Sequence, residues 1–150
     1  AGVGLSVAAL EKLKLIANKV HKNGRPLAQD PLFATRMAKV QIDLENMKTT
    51  NLRVIAAVAG GGVPGAESSM LKIRGTEIRQ EILSLIRRAM GPHALPFIEE
   101  AQYEGYADEP VGPKEAATAA ANYFNYRKLS IFGGSNEIQK NIISKMILGL

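Results

Sequence analysis

Two glycines, a serine and an asparagine stand at residues 133–136, directly before an apolar run with helical spacing. A helix that begins after them would offer unpaired backbone N–H groups and the positive end of its dipole. Because glycine has no side chain, the backbone could approach a phosphate or carbonyl oxygen closely at this point. A structural explanation stays open: Ser135 or Asn136 caps the helix, and the glycines only form the turn before it.

The rest of the chain offers few other catalytic arrangements. The 150 residues include no Cys, which removes disulfides, thiolate metal sites and a Cys nucleophile. His21 and His93 lie far apart, so no metal site is predicted, and no Ser/His/Asp arrangement can be argued. The glycines at 60–62 lack the preceding strand and the following Lys-Ser/Thr pair of a phosphate loop, and indicate a hinge. The acidic residues within 99–109 are typical of a solvated loop.

Length and composition are those of one globular domain. A domain of this size buries about 70% of its unfolded surface, and 46% of the residues are hydrophobic. The net charge is +5, but basic residues are scattered among acidic ones and aromatic residues are few, which argues against nucleic-acid binding. No apolar run approaches the roughly 18 residues of a membrane span, and the first residues lack the basic region of a secretory signal. A cytoplasmic protein without membrane contact is predicted.

Apolar spacing predicts helices throughout the first half of the chain and no clear strand. The first helix runs over residues 5–20 and ends at HKNG, where Gly24 can take the left-handed cap conformation. The second is capped by Asp30, begins at Pro31 and continues to the glycines at 60–62.

Three further helices are predicted in the second half. A long helix opens at Pro64 and ends at Gly91, and residues 96–113 form an irregular, acidic excursion. Pro113 starts an alanine-rich helix, and the last helix follows the GGSN motif. The predicted fold is therefore all-α, an up-and-down bundle of four to five helices in a single domain over residues 1–150. Because the last helix is apolar on more than one side, a partner subunit or domain is expected to cover it.

Several longer segments resemble one protein family. The segment NYRKLSIFGGSNEIQKNIISKMILGL resembles the C-terminal end of acyl-CoA dehydrogenases, in the subgroup that reads I-[FY]-G-G-S-N-E-I-Q. NGRPLAQDPLFATRMA resembles the turn and second helix of that family's C-terminal domain, and PGAESSMLKIRGTEIRQEIL resembles its next long helix, including the Lys72 position. MGPHAL matches the break after that helix, so the resemblance covers the whole chain in order.

The resemblance implies part of a FAD-dependent oxidoreductase. A complete family member also has an N-terminal helical domain and a middle β-domain, which are expected to be absent from this chain. Such an enzyme forms a trans double bond between C2 and C3 of an acyl-CoA thioester. A carboxylate base removes the C2 proton while a hydride leaves C3 for the flavin. The isolated chain is expected to be inactive, because the other domains hold most of the substrate and flavin site.

No catalytic residue is predicted within the chain. Many family members carry a Glu immediately before the glycine of the terminal motif, and alignment on GSNEIQ places Gly133 at that position. Glu137 lies four residues later, about one helical turn away. A subset of the family takes its base from the first helix, just before Ala1, and Glu11 lies too far along. The base is expected outside this chain, in the other domains or in a partner subunit.

The resemblance also implies that this domain binds the FAD of a neighbouring subunit across a dimer interface. The backbone at Ser135, Asn136 and Glu137 would approach the flavin end, and Gly134 permits that closeness. The first group of predicted cofactor contacts therefore consists of residues 134–137, at the start of the last helix.

Two further cofactor contacts are implied elsewhere in the chain. Arg25 corresponds to an arginine that meets the FAD pyrophosphate, which suits charge-assisted pairing, although RPLAQ lacks the aromatic residue and the glycine of the usual R-x-x-F-G. Gly91 resembles the glycine of a Q-x-x-G-G stretch near the adenine ribose. Tyr126 and Arg127 are expected to be interface or packing residues.

The implied partners are acyl-CoA, bound by the full-length enzyme, and further subunits in a homodimer, a tetramer or a hetero-oligomer. One variant is a subunit without a catalytic base that works in a mixed assembly. Two alternatives from other classes stay open. A non-catalytic helical interaction module would not respond to FAD or acyl-CoA, and a basic helical nucleic-acid binder would show steep salt dependence.

Overall fold

A computed structural model describes residues 2–109 and 111–150 of the chain. The described residues form five α-helices: α1 (Val3–Lys19), α2 (Pro31–Ala59), α3 (Glu67–Met90), α4 (Ala119–Asn125) and α5 (Asn136–Leu148). Short 3-10 turns occupy Leu27–Gln29, Gly91–Ala94, Glu100–Gln102, Lys114–Thr118 and Tyr126–Ser130. The predicted all-α bundle is confirmed.

The first helix follows its apolar stripe and ends at Lys19, two residues before the first residue of HKNG. Leu13, Ile16 and Ala17 are buried, and the Val20 N–H bonds the Ile16 carbonyl at the helix end. The Gly24 φ of 76° confirms a left-handed residue, but it does not cap α1. Two strands of two residues each follow α1, so the expectation of no strand was wrong in this detail.

A tight hairpin joins α1 to α2. Strands β1 (His21–Lys22) and β2 (Arg25–Pro26) pair antiparallel, with Lys22 opposite Arg25. Asn23 and Gly24 form the two-residue turn, with φ values of 53° and 76°. Asn-Gly is the preferred pair for such a turn because both residues tolerate positive φ. The dipeptide therefore specifies a hairpin in which Arg25 is held on the surface.

Helix α2 begins as predicted. The Asp30 carboxylate accepts a hydrogen bond of 3.0 Å from the Phe33 N–H, and Pro31 takes the first helical position. Its first half buries Val40, Leu44 and Met47, whereas the residues after 51 are largely exposed. The predicted continuation to the glycines at 60–62 is confirmed.

Helix α3 is the central helix of the bundle. It packs against α1, α2, α4 and α5, and Ile78, Ile82 and Leu85 are fully or almost fully buried. The helix begins at Glu67, three residues after the predicted Pro64. The glycine-rich stretch before it has low helix propensity, and an acid in the first turn favours the observed start.

The alanine-rich segment is less regular than predicted. The expected helix from Pro113 is a 3-10 turn, the short α4 and a second 3-10 turn. Ala116, Ala119 and Ala120 are buried, so small side chains bring this segment close to its neighbours. Packing, and not helical propensity, sets its shape. The irregular character predicted for 96–113 holds for the described residues there, apart from the turn Glu100–Gln102.

Helix α5 lies on the surface of the bundle. It contacts α3, and none of its 13 residues is buried. Met146, Ile147 and Leu148 are each more than half exposed. The predicted excess of apolar surface is therefore present, and its covering by a partner stays a prediction.

Candidate functional site

The GGSN motif forms a sharp turn into α5, which we call the elbow (residues 133–136). Gly133 and Gly134 have φ values of 69° and 80°, in the left-handed region that favours glycine. The Ser135 hydroxyl oxygen accepts a hydrogen bond of 3.3 Å from the Ile138 N–H. Ser135 thus caps the helix and the glycines make the turn, as the structural explanation predicted; whether the elbow also contacts a ligand stays a prediction.

The same glycines leave the elbow open to another molecule. Both are exposed, and a Cβ built on Gly133 would meet no atom within 4 Å. A Cβ on Gly134 would lie 2.7 Å from the Gln139 amide nitrogen, which donates a hydrogen bond of 3.0 Å to the Gly133 carbonyl. The bundle's apolar groups do not cover this turn, so close approach to its backbone remains available.

Glu137 already uses the free N–H groups at the helix start. Its pKa lies below the ordinary value, chiefly because its carboxylate accepts a hydrogen bond from its own backbone N–H and one from the Ser135 hydroxyl. The positive charges of Lys140 and Lys72 add to the effect. A phosphate or carbonyl oxygen at this helix start would compete with this carboxylate for the Glu137 N–H.

A cavity of about 540 Å³ adjoins the elbow, and we call it the elbow cavity. Its walls come from α1, α2, α3 and the segment before α5, and Leu71 and Phe132 supply apolar surface. Lys72 and Arg79 also line it, and no Asp or Glu among the described residues does. The cavity therefore combines apolar walls with two cationic side chains, which favours a partly apolar ligand with an electron-rich or anionic group.

Gly133, which stands where many family members carry the catalytic base in the resemblance, lines this cavity. Gly2, directly before α1, lines it as well. Neither residue carries a carboxylate, and Glu11 is not among the lining residues. A base in this cavity would therefore have to come from outside the described residues.

Arg25 and Gly91 lie at the opposite end of the bundle. Gly91 directly follows α3, whereas Lys72, which contacts the elbow, lies near the start of that helix. The 18 residues from Lys72 to Met90 extend over roughly 27 Å of helix. Arg25 is exposed on β2. The structure brings residues 134–137 together and does not bring Arg25 or Gly91 to them.

Sequence reasoning missed a cluster of basic residues around Gly91. A second cavity, of about 520 Å³, includes Gly91 in its wall. Its charged and titratable residues are all basic: Lys19, His21, Lys22, Arg88 and His93. We call it the basic cavity. Its residues come from the end of α1, the hairpin and the end of α3, so only the fold reveals the cluster.

Arg25 stands beside the basic cavity and not in its wall. It lines a smaller neighbouring cavity of about 340 Å³, which shares Lys22 with the basic cavity. Lys22 forms a 2.8 Å ion pair with Asp30, which holds the pKa of Asp30 below its ordinary value together with the Phe33 N–H. Asp30 thus partly neutralises the Arg25 side of this surface.

Within residues 2–109 and 111–150, no three His, Asp or Glu side chains are grouped closely enough to hold a metal ion. None of the helices in the described part of the chain is both long and apolar enough to cross a membrane.

The sequence matches the profile of the acyl-CoA dehydrogenase C-terminal domain over residues 1–148, which is nearly the whole chain. The chain belongs to the acyl-CoA dehydrogenase C-terminal domain family. The resemblance of its terminal and central segments to that family is thereby confirmed. No curated protein matches the sequence significantly.

Solved structures share the fold of this acyl-CoA dehydrogenase domain. The FAD complex of PigA aligns with a TM-score of 0.75 and 22% identity, over 99% of this chain and 34% of that one. The ChsE4-ChsE5 complex from Mycobacterium tuberculosis aligns with a TM-score of 0.74 and 23% identity, over 100% and 36%. Butyryl-CoA dehydrogenase from Megasphaera elsdenii gives 0.73 and 15%, over 98% and 34%.

These identities establish the fold alone. The chain spans about a third of the length of each of these structures, so it corresponds to one domain of them. The elbow, the elbow cavity and the basic cavity therefore belong to a helical domain of the acyl-CoA dehydrogenase C-terminal domain family.

Proposed function

We propose that this chain serves as the C-terminal domain of a FAD-dependent acyl-CoA dehydrogenase, which desaturates an acyl-CoA thioester between C2 and C3. The elbow cavity carries the proposal: it joins an exposed glycine turn, apolar walls and two cations, with no acidic lining residue. Family membership and the position of the GGSN motif at its edge support the same interpretation.

The chain's residues fit FAD at two places. At the elbow, the backbone of 134–136, which is exposed at Gly134 and half-buried at Ser135 and Asn136, accommodates the flavin end, with the Glu137 carboxylate displaced from the helix start. At the basic cavity, Lys22 and Arg88 offer charge-assisted contacts to phosphate. When bound, FAD accepts the hydride that leaves C3 of the substrate. This chain binds and orients the cofactor and supplies positive charge near it.

The proton of C2 is removed by a base from outside this chain. The elbow cavity contains no carboxylate among its described residues, and the Glu137 carboxylate is bound to its own backbone N–H. The base comes from the other domains of the same enzyme or from a partner subunit of a mixed assembly. In the second case this chain belongs to a subunit that contributes cofactor contacts without a base.

The two cofactor contacts serve two FAD molecules of an oligomer. They lie at opposite ends of α3, roughly 27 Å apart. The apolar surface of α5 is exposed in the single chain. A homodimer or tetramer, or a hetero-oligomer, would cover this surface. The proposed enzyme works in the cytoplasm.

Absorbance of bound flavin tests the proposed function. The complete natural polypeptide that carries these residues is purified in parallel with the 150-residue chain, and both are scanned near 450 nm after gel filtration with FAD. The complete polypeptide is expected to retain FAD and reduce a dye with acyl-CoA, whereas the 150-residue chain retains none. If neither protein responds to FAD or acyl-CoA, the domain is a non-catalytic interaction module and the proposal is wrong.

A further inference from the structure

One face of α3 is bonded to the segment that leads into the elbow. Lys72, Thr76 and Gln80 are spaced four residues apart and therefore lie above one another on the helix. Lys72 and Gln80 donate side-chain hydrogen bonds to the region 126–136. The Thr76 hydroxyl, which bonds the Lys72 carbonyl at 2.9 Å, also faces this region. We call these three residues the ladder.

The ladder contacts the segment before α5 at three of its residues, Tyr126, Arg127 and Leu129. The Gln80 amide donates to the carbonyls of Tyr126 and Arg127, at 3.2 Å each, and the Arg127 guanidinium donates back to the Gln80 carbonyl at 3.1 Å. The Thr76 hydroxyl lies 3.3 Å from the Leu129 carbonyl. These contacts fix a backbone that has neither strand nor long helix of its own.

The last contact reaches the elbow itself. The Lys72 ammonium donates a 3.0 Å hydrogen bond to the side-chain oxygen of Asn136, the first residue of α5. Lys72 forms no ion pair with any described residue, so the Asn136 amide is its assigned partner. Because the donor is charged and half-buried, this bond is stronger than a neutral one.

Apolar packing contributes little to the position of the elbow. No residue of α5 is buried, and Ile131 and Phe132 just before the elbow are more than half exposed. In a bundle whose helices are otherwise placed by buried apolar side chains, this end is placed by polar contacts to α3.

We propose that Lys72 is a positioning residue for the cofactor contact: through Asn136 it fixes the elbow against α3, with Thr76 and Gln80 holding the preceding backbone. The proposal rests on the proposed function of the elbow as a flavin contact. Lys72 acts on the cofactor indirectly, because it holds the start of α5 in place. Its side chain also lines the elbow cavity, because the bond to Asn136 directs the ammonium to that wall.

Two measurements test the role of Lys72. In the 150-residue chain, Lys72→Met is expected to speed hydrogen exchange of the Ile138 and Gln139 amides about tenfold, with α3 protection and helical content unchanged. In the complete natural polypeptide, Lys72→Met is expected to raise the FAD dissociation constant about tenfold. Lys39→Met removes the same charge from an exposed site on α2 and is expected to change neither quantity.

A double-mutant cycle separates positioning from a direct charge effect. Lys72→Met and Asn136→Ala are expected to weaken FAD binding separately, and the double variant is expected to lose no more than the larger single effect. Lys72→Arg, which keeps a donor, is expected to restore most of the affinity. The proposal would be overturned if the losses of FAD affinity in the two single variants multiplied in the double variant. Unchanged hydrogen exchange at the elbow in Lys72→Met would also overturn it. Absence of FAD binding by the unmodified complete polypeptide would instead contradict the proposed function.

Discussion

The Gln139 side-chain amide donates a 3.0 Å hydrogen bond to the Gly133 carbonyl oxygen, six residues earlier. This bond closes the turn that leads into α5 and passes directly beside Gly134. A Cβ on Gly134 would lie 2.7 Å from the same nitrogen. The two glycines of the elbow therefore differ: both have a positive φ that favours glycine, and a Cβ at Gly134 would in addition require the end of the flexible Gln139 side chain to move.

Alanine at each glycine tests this difference. Gly133→Ala is expected to lower the free energy of unfolding by roughly 1–2 kcal/mol, the cost of a left-handed residue with a Cβ. Gly134→Ala is expected to cost more, because the Gln139 amide must also leave its partner. Urea unfolding followed by circular dichroism measures both.

Gly4 provides the matched control for the glycine variants. It lies in the first turn of α1, is exposed, and has no neighbour within 4 Å of a built Cβ. Gly4→Ala is expected to stabilise the chain by up to about 1 kcal/mol. Equal losses in Gly133→Ala and Gly134→Ala would show that space at Gly134 does not matter.

The carboxylate of Glu137 gives the elbow a pH dependence. Its folded pKa is lowered, so its contribution to stability is present above the unfolded pKa and is lost as the pH falls through the folded pKa. Ser135→Ala removes one hydrogen bond to the carboxylate and is expected to raise the Glu137 pKa toward its ordinary value, as NMR titration would show. The cap is lost too, at about 1 kcal/mol.

Ser135→Asn separates the two functions of this serine. Asparagine retains a capping oxygen, so the free energy of unfolding is expected to stay close to that of the unmodified chain. A Glu137 pKa that is equal in the unmodified chain and in Ser135→Ala would contradict the assigned hydrogen bond.

Part of this domain could be predicted from the sequence because its signals are local. Asp30 and Pro31 mark the start of α2, and the GGSN motif marks the turn into α5. The Asn-Gly pair at 23–24 is an equally local turn signal, but the strands beside it have only two residues each and carry no periodicity that predicts a hairpin.

The arrangement of the candidate site was not predictable in the same way. The basic cavity joins residues from the end of α1 and the end of α3, which are nearly 70 positions apart in the sequence. The separation of Gly91 from the elbow depends on the direction of α3 through the bundle. Such relationships arise from tertiary packing, and neither motif nor spacing contains them.

The exposed apolar surface of α5 predicts association. Ile147→Glu places a charge on this surface, where the unmodified side chain is 67% exposed, and is expected to shift the protein toward monomer in sedimentation experiments because the charge would be buried in the contact. Leu15→Glu on α1, where the side chain is 73% exposed, is the control. An unchanged mass distribution in Ile147→Glu would place the interface elsewhere.

The basic cavity predicts a salt-dependent contribution to FAD binding. Arg88→Met in the complete natural polypeptide is expected to weaken FAD binding by up to about fivefold, the equivalent of 1 kcal/mol for a partly exposed charge pair. The difference is expected to shrink at high salt because the charge is screened. Arg53→Met on the exposed part of α2 is the control. If Arg53→Met lost as much FAD affinity as Arg88→Met, the effect would be one of net charge alone.

Hydrogen exchange of the elbow in the complete natural polypeptide tests the central claim most directly. Amides of residues 131–140 are compared by mass spectrometry with and without FAD. If the elbow contacts the cofactor, the backbone amides of residues 134–138 are expected to exchange more slowly when FAD is bound. Unchanged exchange there, in a protein that demonstrably holds FAD, would contradict it.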